Sequence, residues 1–66
     1  MHFPTKRTKD LIRGDVVEIF TPHCTLPIWD ITQLDANYFL IRFDEYYDIE
    51  PIKSHAFSIW ALKEAH

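Results

Sequence analysis

Residues 38–43, Tyr38-Phe39-Leu40-Ile41-Arg42-Phe43, constrain the fold of this chain more than any other stretch. Successive side chains of a strand point to opposite faces, so Phe39, Ile41 and Phe43 share one face and Tyr38, Leu40 and Arg42 take the other. Just before it, Asp35-Ala36-Asn37 suits a tight hairpin, because Asp and Asn tolerate left-handed backbone angles. The partner strand across that hairpin is then Ile28-Trp29-Asp30-Ile31-Thr32-Gln33-Leu34. A further strand, Asp15-Val16-Val17-Glu18-Ile19-Phe20, follows the only glycine, Gly14, and is rich in β-branched residues. Residues 57–62, Phe57-Ser58-Ile59-Trp60-Ala61-Leu62, alternate less cleanly. They read as a fourth strand, with a short helix running into Lys63-Glu64-Ala65 as the alternative.

Short strands at this spacing in a chain of 66 residues predict a mostly β fold. The expected architecture is a small, strongly bent antiparallel barrel of the SH3-like type with four to five short strands. An OB-fold would want more residues. A domain this small buries only about 60% of the surface its unfolded chain exposes. Its aromatic content of 15% matters for that reason, since each buried ring brings roughly 150–250 Å² into the core. Cys24 is the only cysteine, so no internal disulfide can reinforce the domain. With one glycine, the turns must rely on Pro4, Pro22, Pro27 and Pro51 and on Asp35, Asn37 and Asp48. The connection from Asp44 to Ala56 has no hydrophobic periodicity and holds Asp44, Glu45, Asp48 and Glu50 with two tyrosines. It reads as a long functional or mobile loop.

The net charge of −3 is unevenly spread. Residues 1–13 carry Lys6, Arg7, Lys9 and Arg13 against Asp10, a net +3, whereas residues 14–66 hold three basic and nine acidic groups, a net −6. The organisation this implies is a basic N-terminal arm, residues 1–13, attached to a single acidic barrel domain, residues 14–66. Such an arm either touches phosphate or an acidic protein, or is simply a solvated terminus. The acidic body argues against a general nucleic-acid binder. No apolar run approaches the roughly 20 residues of a membrane span and no signal peptide pattern opens the chain. A soluble intracellular protein without membrane contact is therefore expected.

Enzyme chemistry is not expected. His2, His23, His55 and His66 are not spaced from Cys24 or a carboxylate as zinc ligands are, and no phosphate cradle or serine nucleophile motif is present. The adjacent His23-Cys24 reads as a loop pair, and the acidic pairs Asp44-Glu45 and Asp48 read as a solvated loop. No metal site, catalytic residue or cofactor is implied.

Gly14-Asp15-Val16-Val17-Glu18, Asn37-Tyr38-Phe39-Leu40-Ile41-Arg42-Phe43-Asp44 and Phe57-Ser58-Ile59-Trp60 together resemble the core of an MBT (malignant brain tumour) repeat, a member of the Royal family with tudor and chromo domains. The resemblance covers about 50 residues. It implies a non-enzymatic, nuclear, chromatin-associated module that binds protein or histone tails and reads methyl-lysine through an aromatic cage. Carried over by position, the cage walls would be Phe43, Tyr46 and Phe57, with Asp44, Glu45 and Asp48 as an acidic rim drawing in a basic tail. Aromatic faces attract a methylammonium by cation–π interaction, worth about 0.5–2 kcal/mol per good contact. The family's acidic cage residue falls on Thr21, before Pro22.

Two other classes of function fit the same residues. One is a small assembly subunit that takes a peptide along an exposed strand edge. The other is nucleic-acid contact through Lys6, Arg7, Lys9 and Arg13 with stacking on an exposed tyrosine. The sequence leaves the oligomeric state open.

Overall fold

The structure, a computed structural model, describes residues 4–19 and 24–63. Thr21, Pro22 and three of the four histidines (His2, His23 and His66) lie outside the described residues, as does the end of the first expected strand at Phe20.

Six strands and two 3-10 helices follow in chain order: β1 (Thr5–Arg7), a 3-10 helix (Thr8–Asp10), β2 (Val16–Glu18), β3 (Thr25–Gln33), β4 (Tyr38–Phe43), a second 3-10 helix (Glu45–Tyr47), β5 (Ile52–His55) and β6 (Ile59–Ala61). β2, β3, β4 and β5 form one antiparallel sheet in that order, curled into a half-barrel. β1 and β6 form a second antiparallel pair, joined to the first sheet by a bridge between Val17 and Leu62. The fold is therefore the mostly β, small antiparallel architecture that the alternating pattern dictates.

β3 causes the curl. Its first residues, Thr25–Pro27, pair with β2, and Ile28 onward pairs with β4. The handover is marked by a β-bulge, with Ile28 opposite Phe43 and Asp30 opposite Arg42, which leaves Trp29 as the extra residue. A bulge adds local twist and bends the strand. One nine-residue strand can therefore serve both halves of the curled sheet. Gly14 supports the same corner: its N–H donates to the Ile28 carbonyl (3.0 Å), and its φ of +96° is one that side-chain-bearing residues rarely adopt.

β4 behaves as its alternation requires. Ile41 and Phe43 are buried, Phe39 packs against the core from partial burial, and Tyr38 and Arg42 are exposed. Around them the core gathers Leu11, Val17, Ile19, Leu26, Ile28 and Leu62. Burying a side chain of this size contributes about 1.5–3 kcal/mol, and Val17 and Ile41 are wholly inaccessible.

Four expectations need correction. The hairpin before β4 uses no left-handed residue, since the only non-glycine positive φ among the described residues is at Asp48. Its device is a side chain instead: Asp35 Oδ1 accepts the N–H groups of Asn37 (2.8 Å) and Tyr38 (2.9 Å). The stretch from Asp44 to Ala56 is not an unstructured loop, because it contains the second 3-10 helix and β5. β5 carries no clear strand signal of its own, because four residues, Ile-Lys-Ser-His, are too few to show a period. Residues 59–61 are strand, as favoured over helix, but Phe57 and Ser58 belong to the turn before it.

The fourth correction concerns the basic segment. Residues 5–10 are not an arm outside the domain. β1 pairs with β6 (Thr5 with Ala61, Lys6 with Trp60, Arg7 with Ile59), and Thr8 is completely buried. The Thr8 hydroxyl lies 2.8 Å from the Ser54 hydroxyl, and Trp60 Nε1 donates to Thr8 Oγ1 (2.8 Å) and to Ser54 Oγ (3.2 Å). A buried polar group is costly unless bonded. This trio satisfies all three groups while tying the first 3-10 helix, β5 and β6 together. The start of the chain is thus pinned to its far end by side chains separated by about fifty residues.

Candidate functional site

The residues expected to form a cage are not brought together. Phe43 is 5% exposed and belongs to the core at the end of β4. Tyr46, on the 3-10 helix that follows, is 87% exposed. Phe57 lies at the opposite end of β4, where its ring is 5.8 Å from that of His55, which in turn meets Tyr38. The five steps from Tyr38 to Phe43, at roughly 3.4 Å each, separate the two ends by ~17 Å, too far for one ammonium group to touch rings at both. Phe43 is drawn inward because it shares the apolar face of Ile41, and a strand cannot turn one residue of a face outward without a bulge.

What the structure does assemble is a different feature at each end of β4. At the Phe43 end the chain turns through Asp44–Asp48. Asp44 Oδ1 accepts the Tyr46 N–H (2.9 Å), the Asp44 carbonyl accepts the Tyr47 N–H (3.0 Å), and the Glu45 carbonyl accepts the Asp48 N–H (3.0 Å). Asp48 closes the turn in the left-handed conformation at φ 52°. The Tyr46 and Tyr47 rings meet edge to face at 5.4 Å. Beside them is an open cleft of about 470 Å³, lined by Arg42, Phe43, Glu45, Asp48, Ile49 and Glu50 together with Pro51. Among the described residues, ion pairs are made only by Lys6 with Asp15 (3.1 Å) and Lys9 with Asp10 (3.4 Å). Asp44, Glu45, Asp48 and Glu50 have none there. Asp44, Glu45, Asp48 and Glu50 thus belong to the same short stretch as the exposed Tyr46, and Arg42 shares the cleft with the last three.

At the Tyr38 end, five side chains from four parts of the chain form a row. The Lys53 ammonium lies 4.7 Å from the Tyr38 ring centre, Tyr38 meets His55 edge to face at 5.3 Å, His55 meets Phe57 at 5.8 Å, and the Arg7 guanidinium lies 5.5 Å from the Phe57 ring. The Phe57 N–H donates to His55 Nδ1 (3.2 Å), which fixes the imidazole. Antiparallel register explains the row: Tyr38 stands opposite His55 and Leu40 opposite Lys53, so all four share the outer face. Of the four basic residues read from the sequence, Lys6 and Lys9 pair with carboxylates, Arg7 ends this row, and Arg13 lies 4.9 Å from the Trp29 ring.

Tyr38, Lys53 and His55 were missed as a group by sequence reasoning. Tyr38 was visible as an outward residue, but Lys53 and His55 acquire a face only once β5 is recognised as a strand, and the alternation of Ile52 and Ser54 with them is the one local signal. A third feature is a cleft of about 310 Å³ between β2, β5 and β6, lined by Glu18, Ile19, Ile52, Ile59 and Trp60 with Ser54 and Ser58.

Among the described residues no three His, Cys, Asp or Glu side chains are grouped as metal ligands, and no helix is long and apolar enough to cross a membrane. The chain matches no family model, and no curated protein or solved structure matches it.

Proposed function

We propose that this protein is a non-enzymatic binding module that takes a lysine- or arginine-rich protein segment at its acidic, tyrosine-bearing end. The observation that carries this reading is Tyr46: a ring 87% exposed to solvent, on a capped turn within a stretch whose four carboxylates make no ion pair among the described residues. Tyr46 presents this large ring to solvent beside Tyr47, where it is available to a partner. Its face offers a cation an attraction of about 0.5–1 kcal/mol at an exposed site. The carboxylates act at longer range by raising the encounter rate with a basic segment. The adjacent cleft beside Ile49 and Pro51 offers room for the apolar stem of a lysine.

A histone tail is one segment of this chemistry, and a nuclear, chromatin-associated role follows in that case. The cage proposed from Phe43, Tyr46 and Phe57 is not part of this reading, because those side chains lie at different places along β4. The proposed site is Tyr46 and Tyr47 with Asp44, Glu45, Asp48 and Glu50.

The test is an amide NMR titration with an unmodified lysine-rich peptide and its mono-, di- and trimethylated forms. Shifts confined to residues 44–51, reduced several-fold in affinity by Tyr46→Ala and weakened by salt, are expected. Equal binding by wild-type and Tyr46→Ala protein would refute the site. A clear preference for the methylated forms would restore a methyl-lysine function on Tyr46 and Tyr47 alone.

A further inference from the structure

The row at the other end of β4 presents a different chemistry, and all its components but the half-buried His55 are exposed. Phe57 is 55% and Tyr38 37% exposed, and Arg7, Lys53 and their neighbour Lys9 are exposed as well. Cation, ring, imidazole, ring and cation follow one another at steps of 4.7, 5.3, 5.8 and 5.5 Å. A partner suited to this row must offer negative charge to Arg7 and Lys53 and flat faces to Tyr38 and Phe57, in a repeating order. Single-stranded nucleic acid does so, with a phosphate and an unpaired base in every unit. A duplex offers its phosphates but keeps its base faces stacked inside, so it could use only the two cations.

The negative charge of the chain does not oppose this. The carboxylates at residues 44–50 begin beyond the far end of β4, ~17 Å along the strand from Tyr38, about twice the Debye length of ~8 Å at physiological salt, and ~10 Å from Lys53, which stands opposite Leu40. Close to the row, Asp10 is paired with Lys9, and Asp35 keeps its charge while it accepts the N–H groups of Asn37 and Tyr38. Around the row three cations, Arg7, Lys9 and Lys53, stand against two carboxylates, Asp10 and Asp35, so the local balance is positive whatever the sum over the whole chain.

We infer that the surface formed by Arg7, Tyr38, Lys53, His55 and Phe57 binds single-stranded nucleic acid, with bases stacking on Tyr38 and Phe57 and phosphates held by Lys53 and Arg7. The row is read without sequence preference, since it presents ring faces and side-chain cations and no set of hydrogen-bonding groups matched to one base. It is independent of the acidic end, so one protein carries two surfaces of opposite charge.

Fluorescence anisotropy of the full chain with labelled eight-nucleotide oligothymidine and oligouridine at low salt tests this. Wild-type binding is expected to fall steeply with added salt. Tyr38→Ala and Phe57→Ala should each weaken it by about tenfold, within the range that loss of one base stack produces. Phe57→Leu keeps the apolar bulk of an exposed side chain, and it should lose the same affinity while the amide spectrum stays dispersed. Lys53→Glu should weaken binding further still, and Tyr46→Ala should leave it unchanged. Absence of binding at low salt overturns the inference. So does binding that Phe57→Leu does not reduce, which would mean charge attraction alone. Equal competition by a duplex of the same length, or by oligoglutamate, overturns it too and assigns the surface to an acidic partner.

Discussion

At the Phe43 end of β4 the charged and aromatic groups come from one contiguous stretch, residues 44–50, whereas at the Tyr38 end they come from β1, β4, β5 and the turn before β6. The acidic end is a local structure held by its own turn: Asp44 and Glu45 accept the N–H groups that shape it. The cationic end exists only when the fold is complete, because Arg7 reaches Phe57 only through the pairing of β1 with β6. The lesson is that two surfaces built from charged and aromatic residues can differ wholly in what sustains them. One survives as long as a loop keeps its shape, and the other depends on contacts across the whole chain. β4 is the common spine, and this gives three ways to break the comparison apart.

The largest effect comes from attacking the spine itself. Ile41 is wholly buried at the centre of β4, on the face shared by Phe39 and Phe43. Ile41→Ala should cost about 2–5 kcal/mol, the range for a large-to-small change in a core. A chain of this length has a total stability of only about 3–10 kcal/mol at typical values per residue. The variant is therefore expected to be largely unfolded in urea concentrations that leave the wild type intact, with both ends lost together. A loss of less than about 1 kcal/mol by chemical denaturation would show that the core is loosely packed around Ile41.

A change at Thr8 should separate the ends. Thr8→Val keeps the shape but removes the hydroxyl that accepts from Trp60 Nε1 and bonds Ser54. Leaving buried polar partners under-satisfied costs about 1–3 kcal/mol. The damage should fall where the trio joins the first 3-10 helix, β5 and β6. Hydrogen exchange would then be expected to rise across residues 5–10 and 54–61 while residues 44–48 keep their wild-type shifts. Uniform perturbation across both ends would mean that the acidic turn is not the autonomous unit described above.

How much of this was legible in the sequence follows the same division. β4 and its facing residues were readable because six residues of clean alternation admit one arrangement, and the hairpin was readable from Asp35-Ala36-Asn37, although its mechanism was misassigned. The acidic stretch with its two tyrosines was readable because it is contiguous. β1 and β5 were not, since three or four residues carry no period and their strand character comes from partners far away in sequence. The cage assignment depended on bringing Phe43, Tyr46 and Phe57 together across the chain, and position along a motif cannot say that Phe43 faces inward or that Phe57 falls at the other end of the strand. The basic segment looked like a tail because its charges were visible and its buried Thr8 was not. Thr8 is unremarkable until Ser54 and Trp60 are beside it.

The smallest expected effects come from a matched pair of aspartates, one at each end. Asp35 accepts two backbone N–H groups at the start of β4, and Asp44 accepts one just after its end. Loss of a capping side chain costs about 0.5–2 kcal/mol, so Asp35→Ala should stand near the upper part of that range and Asp44→Ala near the lower. Their consequences should also differ in kind. Asp35 sets the entry of Tyr38 into β4, and Tyr38 is the ring on which Lys53 and His55 converge, so Asp35→Ala is expected to disturb shifts at Lys53, His55 and Phe57. Asp44→Ala loosens only the turn that holds Tyr46 outward, so its shifts should stay within residues 44–48 and its main effect should be on binding of a basic peptide. The measurement is a pair of denaturation curves with amide shift maps. If Asp44→Ala proves the more destabilising of the two, or if its shifts spread to Tyr38 and His55, then the acidic turn is coupled to the rest of the sheet and the two ends of β4 are not independent surfaces.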